Sequence, residues 1–265
     1  MLYHAKNGHI FGTDYIRFGT GPQILVILPG LGDGLRTVKG TALPMAWMYR
    51  IFAGEFTVYC LSRKAELPQG HRTRDMARDL RNTMDALNIQ KAHILGVSMG
   101  GMIAQWLAID HPEKVASLVL AVTASKPNPM LTASIEEWLD QARRGDHCAF
   151  MDSNLRKIYS PQYYRQNRWM VPLLGKVTKP KSYDRFQIQA AACLSHDAFP
   201  QLCRIQAPTL VIGGEQDMAL GHEASLEIVG QIPGAQLKLY PQWGHGLYEE
   251  APDFNQTVLD FIRRR

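Results

Sequence analysis

Gly96-Val97-Ser98-Met99-Gly100-Gly101 constrains this chain more than any other stretch. The run before it, Lys91-Ala92-His93-Ile94-Leu95, reads as a short buried strand, and Met102–Ala108 after it reads as a helix. A Gly-x-Ser-x-Gly between strand and helix forms a turn so sharp that the serine backbone is strained. Gly96 and Gly100 remove the Cβ atoms that would clash there. The Ser98 hydroxyl is then left exposed at the end of a sheet, and the free N–H groups of the following helix face any oxyanion formed beside it. Read by itself, the motif also fits a glycine-rich loop whose serine only caps a helix. The rest of the chain decides between the two.

Around this turn the pattern alternates strand and helix, which predicts a mainly parallel sheet covered on both faces. His9–Phe18, followed by the Gly19-Thr20-Gly21-Pro22 turn, suggests an antiparallel hairpin strand at the entry. Gln23–Leu28, Phe56–Leu61, Val115–Val122 and Thr209–Ile212 are apolar runs of strand length, and Gln236–Tyr240 is a shorter one. Asp75–Leu87 has helical spacing, with Met76, Leu80, Thr83, Met84 and Leu87 on one side, and Phe254–Ile262 closes as an amphipathic helix.

One segment breaks the alternation. From about Ala124 to Ile205 there is no buried strand run, only helical patterns separated by Pro127, Pro129, Pro161, Pro172 and Pro180. Ile135, Trp138 and Leu139 share a helix face, as do Phe186, Ile188-Gln189, Ala192 and Cys193 more loosely. The expected organisation is therefore a core of residues 1–123 and 206–265 with a helical lid, 124–205, over the strand ends where open α/β sheets bind ligands. Its Trp138, Phe150, Met151, Tyr159, Tyr163, Tyr164, Trp169 and Met170 supply apolar surface for a pocket. Trp138, Tyr159, Trp169 and Met170 are the candidates to line it, although for most of the aromatic residues taken singly the insertion's own core is the better reading.

Two further residues complete a chemistry. Thr209-Leu210-Val211-Ile212-Gly213-Gly214-Glu215-Gln216-Asp217 runs from a strand into a turn that ends in an aspartate, and Tyr240-Pro241-Gln242-Trp243-Gly244-His245-Gly246 sets a histidine after the last strand. Serine needs a base to remove its proton, and the histidine needs a carboxylate to fix its tautomer. Glu215, Glu250 and Asp253 are rival acids. In the order Ser98, Asp217, His245, with the elbow, the Ile205–Ile212 entry and the Gly244-His245 loop, the chain resembles the α/β-hydrolase superfamily. It is similar to the small, lid-bearing group of esterases, enol-lactonases, C–C bond hydrolases and haloperoxidase-like enzymes.

That resemblance implies a mostly parallel eight-stranded sheet, Ser98 as nucleophile, His245 as base then acid, and Asp217 as orienting carboxylate. It also implies an oxyanion hole from the backbone N–H groups of Leu31 and Met99. The loop that carries Leu31, Leu28-Pro29-Gly30-Leu31-Gly32-Asp33-Gly34, has proline where relatives usually have histidine, and it lacks the lysine and hydroxyl of a phosphate-binding loop. After the fourth strand, Ser62–His71 replaces the usual Arg-Gly-x-Gly turn, so the pocket rim is expected to differ.

Composition sets the remaining bounds. At 265 residues, 46% hydrophobic and 20% charged, the chain is globular, and no apolar run approaches a membrane span. Met1–Lys6 lacks the layout of a secretory signal. Cys60, Cys148, Cys193 and Cys203 show no metal or redox spacing and read as buried thiols in a reducing cytoplasm. The net charge of +5 is spread along the chain, and Arg263-Arg264-Arg265 reads as a solvated tail rather than a nucleic-acid site. The expectation is a cytoplasmic monomer or homodimer that takes a small acyl substrate, without metal, cofactor, nucleic acid or membrane partner. Its reaction is hydrolysis of a modest carboxylic ester. Enol-lactone or C–C bond cleavage by the same triad is the alternative enzyme reading, and a ligand-binding protein that retains the triad is the non-enzymatic one.

Overall fold

The computed structural model describes residues 2–264. The chain enters through an antiparallel hairpin, as expected, but its turn falls inside His9–Phe18 rather than after it: β1 (Lys6–Ile10) and β2 (Thr13–Phe18) pair antiparallel around Phe11-Gly12. Both turn residues have left-handed φ, 50° and 74°, the two-residue turn whose twist matches paired strands. An apolar Phe11 at the turn makes the sequence look like one uninterrupted strand.

The remaining elements follow in chain order as β3 (Gln23–Leu28), α1 (Ala42–Met48), β4 (Phe56–Lys64), α2 (Thr73–Ala86), β5 (Ala92–Val97), α3 (Met99–Asp110) and β6 (Val115–Ala121). Five helices then come before the next strand: α4 (Pro129–Arg144), α5 (His147–Ile158), α6 (Pro161–Asn167), α7 (Val171–Val177) and α8 (Asp184–Leu194). The chain ends with β7 (Thr209–Gly214), α9 (Glu223–Gln231), β8 (Gln236–Tyr240), α10 (Leu247–Glu250) and α11 (Phe254–Ile262). The sheet has eight strands in the order β1-β2-β4-β3-β5-β6-β7-β8, antiparallel as far as the β2–β4 pair and parallel from β4 to β8.

Local chemistry explains these elements. β5 and β7 are buried along their whole length, as a parallel strand covered on both faces must be. Leu80 and Met84 of α2 pack with Ile103 and Leu107 of α3 on one side of the sheet, and Phe52, Phe254 and Val258 pack on the other. The prolines that break the insertion mark helix starts: Pro129 and Pro161 take first positions, behind Asn128 and Ser160 side chains that accept the Leu131 and Tyr163 N–H groups. Gly145, at φ 66°, ends α4.

The order of connections positions the site. From β3 the chain crosses to β4 on one side, then returns past β3 to β5 on the other. The loops after β3 and β5 therefore part in opposite directions and leave a crevice at their carboxyl ends.

Two expectations need correction here. Cys148 and Cys203 are exposed; only Cys60 and Cys193 are buried, where desolvation pushes each thiol up to about 12. The basic tail is not wholly free, because Arg263 pairs with Glu55, while Arg265, like Met1, lies outside the described residues. No helix among the described residues is long and apolar enough to cross a membrane.

Candidate active site

Ser98 caps α3 with φ 53° and ψ −120°, left-handed backbone that a non-glycine residue adopts only under strain. Two hydrogen bonds hold it there: its N–H donates to Ala121 O at 2.9 Å, and Thr123 Oγ1 donates to Ser98 O at 2.7 Å. The flanking glycines are required by contact. A Cβ on Gly96 would lie 2.6 Å from Gly101 Cα, and one on Gly100 would lie 2.1 Å from Leu28 O. The turn thus depends on α3 pressing against β3 more closely than any side chain allows.

Asp217 and His245 arrive on adjoining loops. Glu215 N–H donates to Tyr240 O at 3.0 Å and Gln216 N–H to Trp243 O at 3.1 Å, which stitches the turn after β7 to the loop after β8. Both side chains are buried. His245 Nδ1 lies 2.8 Å from Asp217 Oδ2, and His245 Nε2 lies 3.0 Å from Ser98 Oγ. Asp217 Oδ1 accepts the N–H groups of Ala219 at 2.8 Å and Leu220 at 3.0 Å, which suits an ionised carboxylate. A carboxylate can only accept, so Nδ1 carries the proton and Nε2 is the free base that faces the serine hydroxyl. None of the rival acids is hydrogen-bonded to His245 among the described residues. Glu215 is exposed, Glu250 accepts both Ser160 N–H and Oγ–H, and Asp253 precedes α11.

Leu31 and Met99 are the first residues of their helical turns, so neither N–H has an acceptor within its own helix. The two loops meet at Gly30, where a Cβ would stand 3.3 Å from Ser98 Cβ. Arg63, expected only to alter a rim, lies buried against this loop instead. Its guanidinium donates to Pro29 O at 2.6 Å, to Gly30 O at 2.5 Å and to Gln189 Oε1 of α8 at 2.8 Å and 3.0 Å. Asp33 faces both Arg63, at 3.3 Å, and Arg185 of α8, at 2.5 Å. This Arg63–Asp33–Arg185–Gln189 cluster joins the loop after β3 to the insertion. Sequence reading missed it, and the one partial signal was Asp33, a charged residue inside the otherwise apolar, glycine-rich Leu28–Gly34 run.

Ser98 and His245 open into a cavity of about 810 Å³. The insertion supplies Trp138, Phe150, Met151, Tyr159 and Phe186 to its wall, and the core supplies Leu31, Met45 and Met48. Of the four candidate pocket residues, Trp138 and Tyr159 line the cavity. Trp169 and Met170 do not, and Trp169 is 73% exposed. Tyr163 and Tyr164 also lie outside it, with the Tyr164 hydroxyl donating to Asp152 at 2.9 Å. Beside the histidine loop, Tyr159 donates to Glu249 Oε2 at 2.6 Å and Gly246 N–H donates to Ile158 O at 2.5 Å. These bonds tie the α5–α6 corner to the loop that carries His245.

A sequence model of the alpha/beta hydrolase fold matches residues 23–252. The chain belongs to the α/β-hydrolase fold family, and with its hydrolase relatives it is a hydrolase of that type. A 2-hydroxy-6-oxo-6-phenylhexa-2,4-dienoate hydrolase from Comamonas testosteroni is 31% identical over 71% of this chain and 68% of its own. A 2-hydroxy-6-oxononadienedioate/2-hydroxy-6-oxononatrienedioate hydrolase from Burkholderia vietnamiensis is 30% identical over 98% of this chain and 94% of its own. Among solved structures, MGS-M2, an alpha/beta hydrolase enzyme from a deep-sea metagenome library, superposes with a TM-score of 0.84 at 24% identity over 98% of both chains.

Proposed function

We propose that this chain hydrolyses a small-to-medium carboxylic ester through an acyl-enzyme on Ser98, in the cytoplasm and without a cofactor. The observation that carries the proposal is the continuous hydrogen-bond chain Ser98–His245–Asp217 at an apolar cavity. Ser98 Oγ attacks the carbonyl carbon while its proton passes to His245 Nε2, and Asp217 stabilises the imidazolium. The oxyanion takes the N–H groups of Leu31 and Met99. As the C–O bond breaks, the leaving alkoxide takes the proton from His245. Water then attacks the acyl carbon and gives its proton to His245, and Ser98 recovers that proton as the acid departs. Segment 124–205 acts as a lid whose Trp138 and Phe150 orient the acyl chain, a role that the cavity lining supports.

Cleavage of a C–C or enol-lactone bond by the same triad is the second reading, and the two dienoate hydrolases at 30% and 31% identity favour its C–C form. One panel separates the two: p-nitrophenyl esters of increasing acyl length beside a 2-hydroxy-6-oxo-dienoate and an enol-lactone. Ester hydrolysis should dominate and peak at an intermediate chain length. Turnover of the dienoate or lactone that exceeds every ester by about 100-fold, roughly 2.7 kcal/mol of transition-state preference, would establish the second reading instead.

A further inference from the structure

Two stretches of the chain, residues 34–54 and 161–183, contain no Asp or Glu. The first holds Arg36, Lys39 and Arg50, and the second holds Arg165, Arg168, Lys176, Lys179 and Lys181. With these eight set aside, the other 21 of the 29 basic residues are outnumbered by the 24 acidic ones, so the net +5 arises in these two stretches. None of the eight forms an ion pair among the described residues.

Each stretch also carries an exposed apolar stripe at four-residue spacing. Leu43, Trp47 and Ile51 form one on α1 and the turn after it, and Trp169, Leu173 and Val177 form the other on α7 and the turn before it. Trp47 is 57% exposed, with the Arg50 guanidinium 4.3 Å from its ring centroid, and Val177 is 67% exposed. Both stretches border the cavity that holds Ser98, the first through Met45 and Met48 and the second through Val177 and Lys179. Of the six stripe residues Val177 itself lines the cavity, and large exposed apolar side chains clustered on stretches that border a site mark a surface that is covered in use.

We propose that these two stripes form a docking surface for an anionic lipid bilayer, with the cavity mouth turned toward it. Tryptophan settles at headgroup depth, leucine and valine reach the acyl boundary, and the flanking lysine and arginine stems extend their charges toward lipid phosphates. The charge pattern selects this occupant over a second copy of the chain. A two-fold contact through these stretches would set basic stretch against basic stretch, and neither contains a carboxylate of its own. The proposal departs from the expectation of no membrane partner, because a search for a spanning run is blind to residues that only rest on a surface. It concerns binding, and it stands whichever bond Ser98 cleaves.

Flotation of Ser98→Ala with phosphatidylcholine vesicles that contain roughly one-third phosphatidylglycerol tests it without turnover. The protein should float with these vesicles, not with phosphatidylcholine alone, and should be released at about 0.5 M salt, where the screening length is only a few ångströms. Adding Trp47→Ser and Trp169→Ser should weaken partitioning by about tenfold or more. Circular dichroism should stay unchanged, as should short-ester hydrolysis when the same pair is placed in a chain that keeps Ser98. Absence from the anionic vesicles, binding that ignores the tryptophans, or binding that ignores lipid charge and salt would overturn the proposal. So would light scattering that shows a dimer dissociated by the tryptophan changes, which would give the face to a second copy.

Discussion

Glu215 and Asp217 stand two residues apart on one turn, and the fold gives them opposite fates. Asp217 is buried with two backbone donors and a histidine, whereas Glu215 projects into solvent. Asp217→Asn should therefore lower kcat on the order of 10⁴-fold, by the measure of another serine hydrolase, because an amide there favours the wrong tautomer. Glu215→Gln should change it by no more than about twofold, since exposed substitutions away from such features are within about 0.5 kcal/mol. Steady-state kinetics on one ester checks both, and reversed costs would mean the other carboxylate orients His245. Ser98, Asp217 and His245 were legible because each sits in a local pattern of glycines at a strand end. The Arg63–Asp33–Arg185 cluster was not legible. Its partners come from three distant stretches, and nothing local distinguishes a buried arginine from a surface one.

Helices of the insertion divide by which face they turn inward, and composition cannot tell the faces apart. Trp138 of α4 lines the cavity, while Trp169 beside α7 is exposed and does not, although both read as equal aromatic candidates. The insertion returns to the core through His196, just past α8, whose Nδ1 lies 2.9 Å from Thr73 Oγ1 of α2. Burial pulls its imidazole down from 6.5 to about 3. A folded-state value below the unfolded one means that folding favours the neutral ring. Its contribution is present above pH 6.5 and is lost as pH falls from 6.5 toward 3, at up to about 1.4 kcal/mol per pH unit. Burial shifts His93 and His147 in the same direction, so acid should destabilise the molecule steeply. Urea midpoints between pH 7 and pH 5 should show a shallower decline for His196→Gln than for the parent. Parallel declines would mean that His196 takes up its proton as readily folded as unfolded.

Strand type and helical insertion were readable because buried parallel strands are continuous apolar runs, and no such run lies between β6 and β7. Strand order was less accessible, since it depends on which neighbours pair. That order sets the loops after β3 and β5 on either side of one crevice. There the β5 elbow presents Ser98, the β3 loop presents Leu31, and the β7 and β8 loops deliver Asp217 and His245. If this convergence makes Ser98 a nucleophile, a small fluorophosphonate should add once to the protein. Intact-mass and peptide mass spectrometry should locate the adduct on Ser98. The adduct should vanish in Ser98→Ala, with ester turnover reduced by roughly 10⁶-fold and circular dichroism unchanged. An adduct on another residue, or ester hydrolysis that survives in a folded Ser98→Ala, would contradict the account.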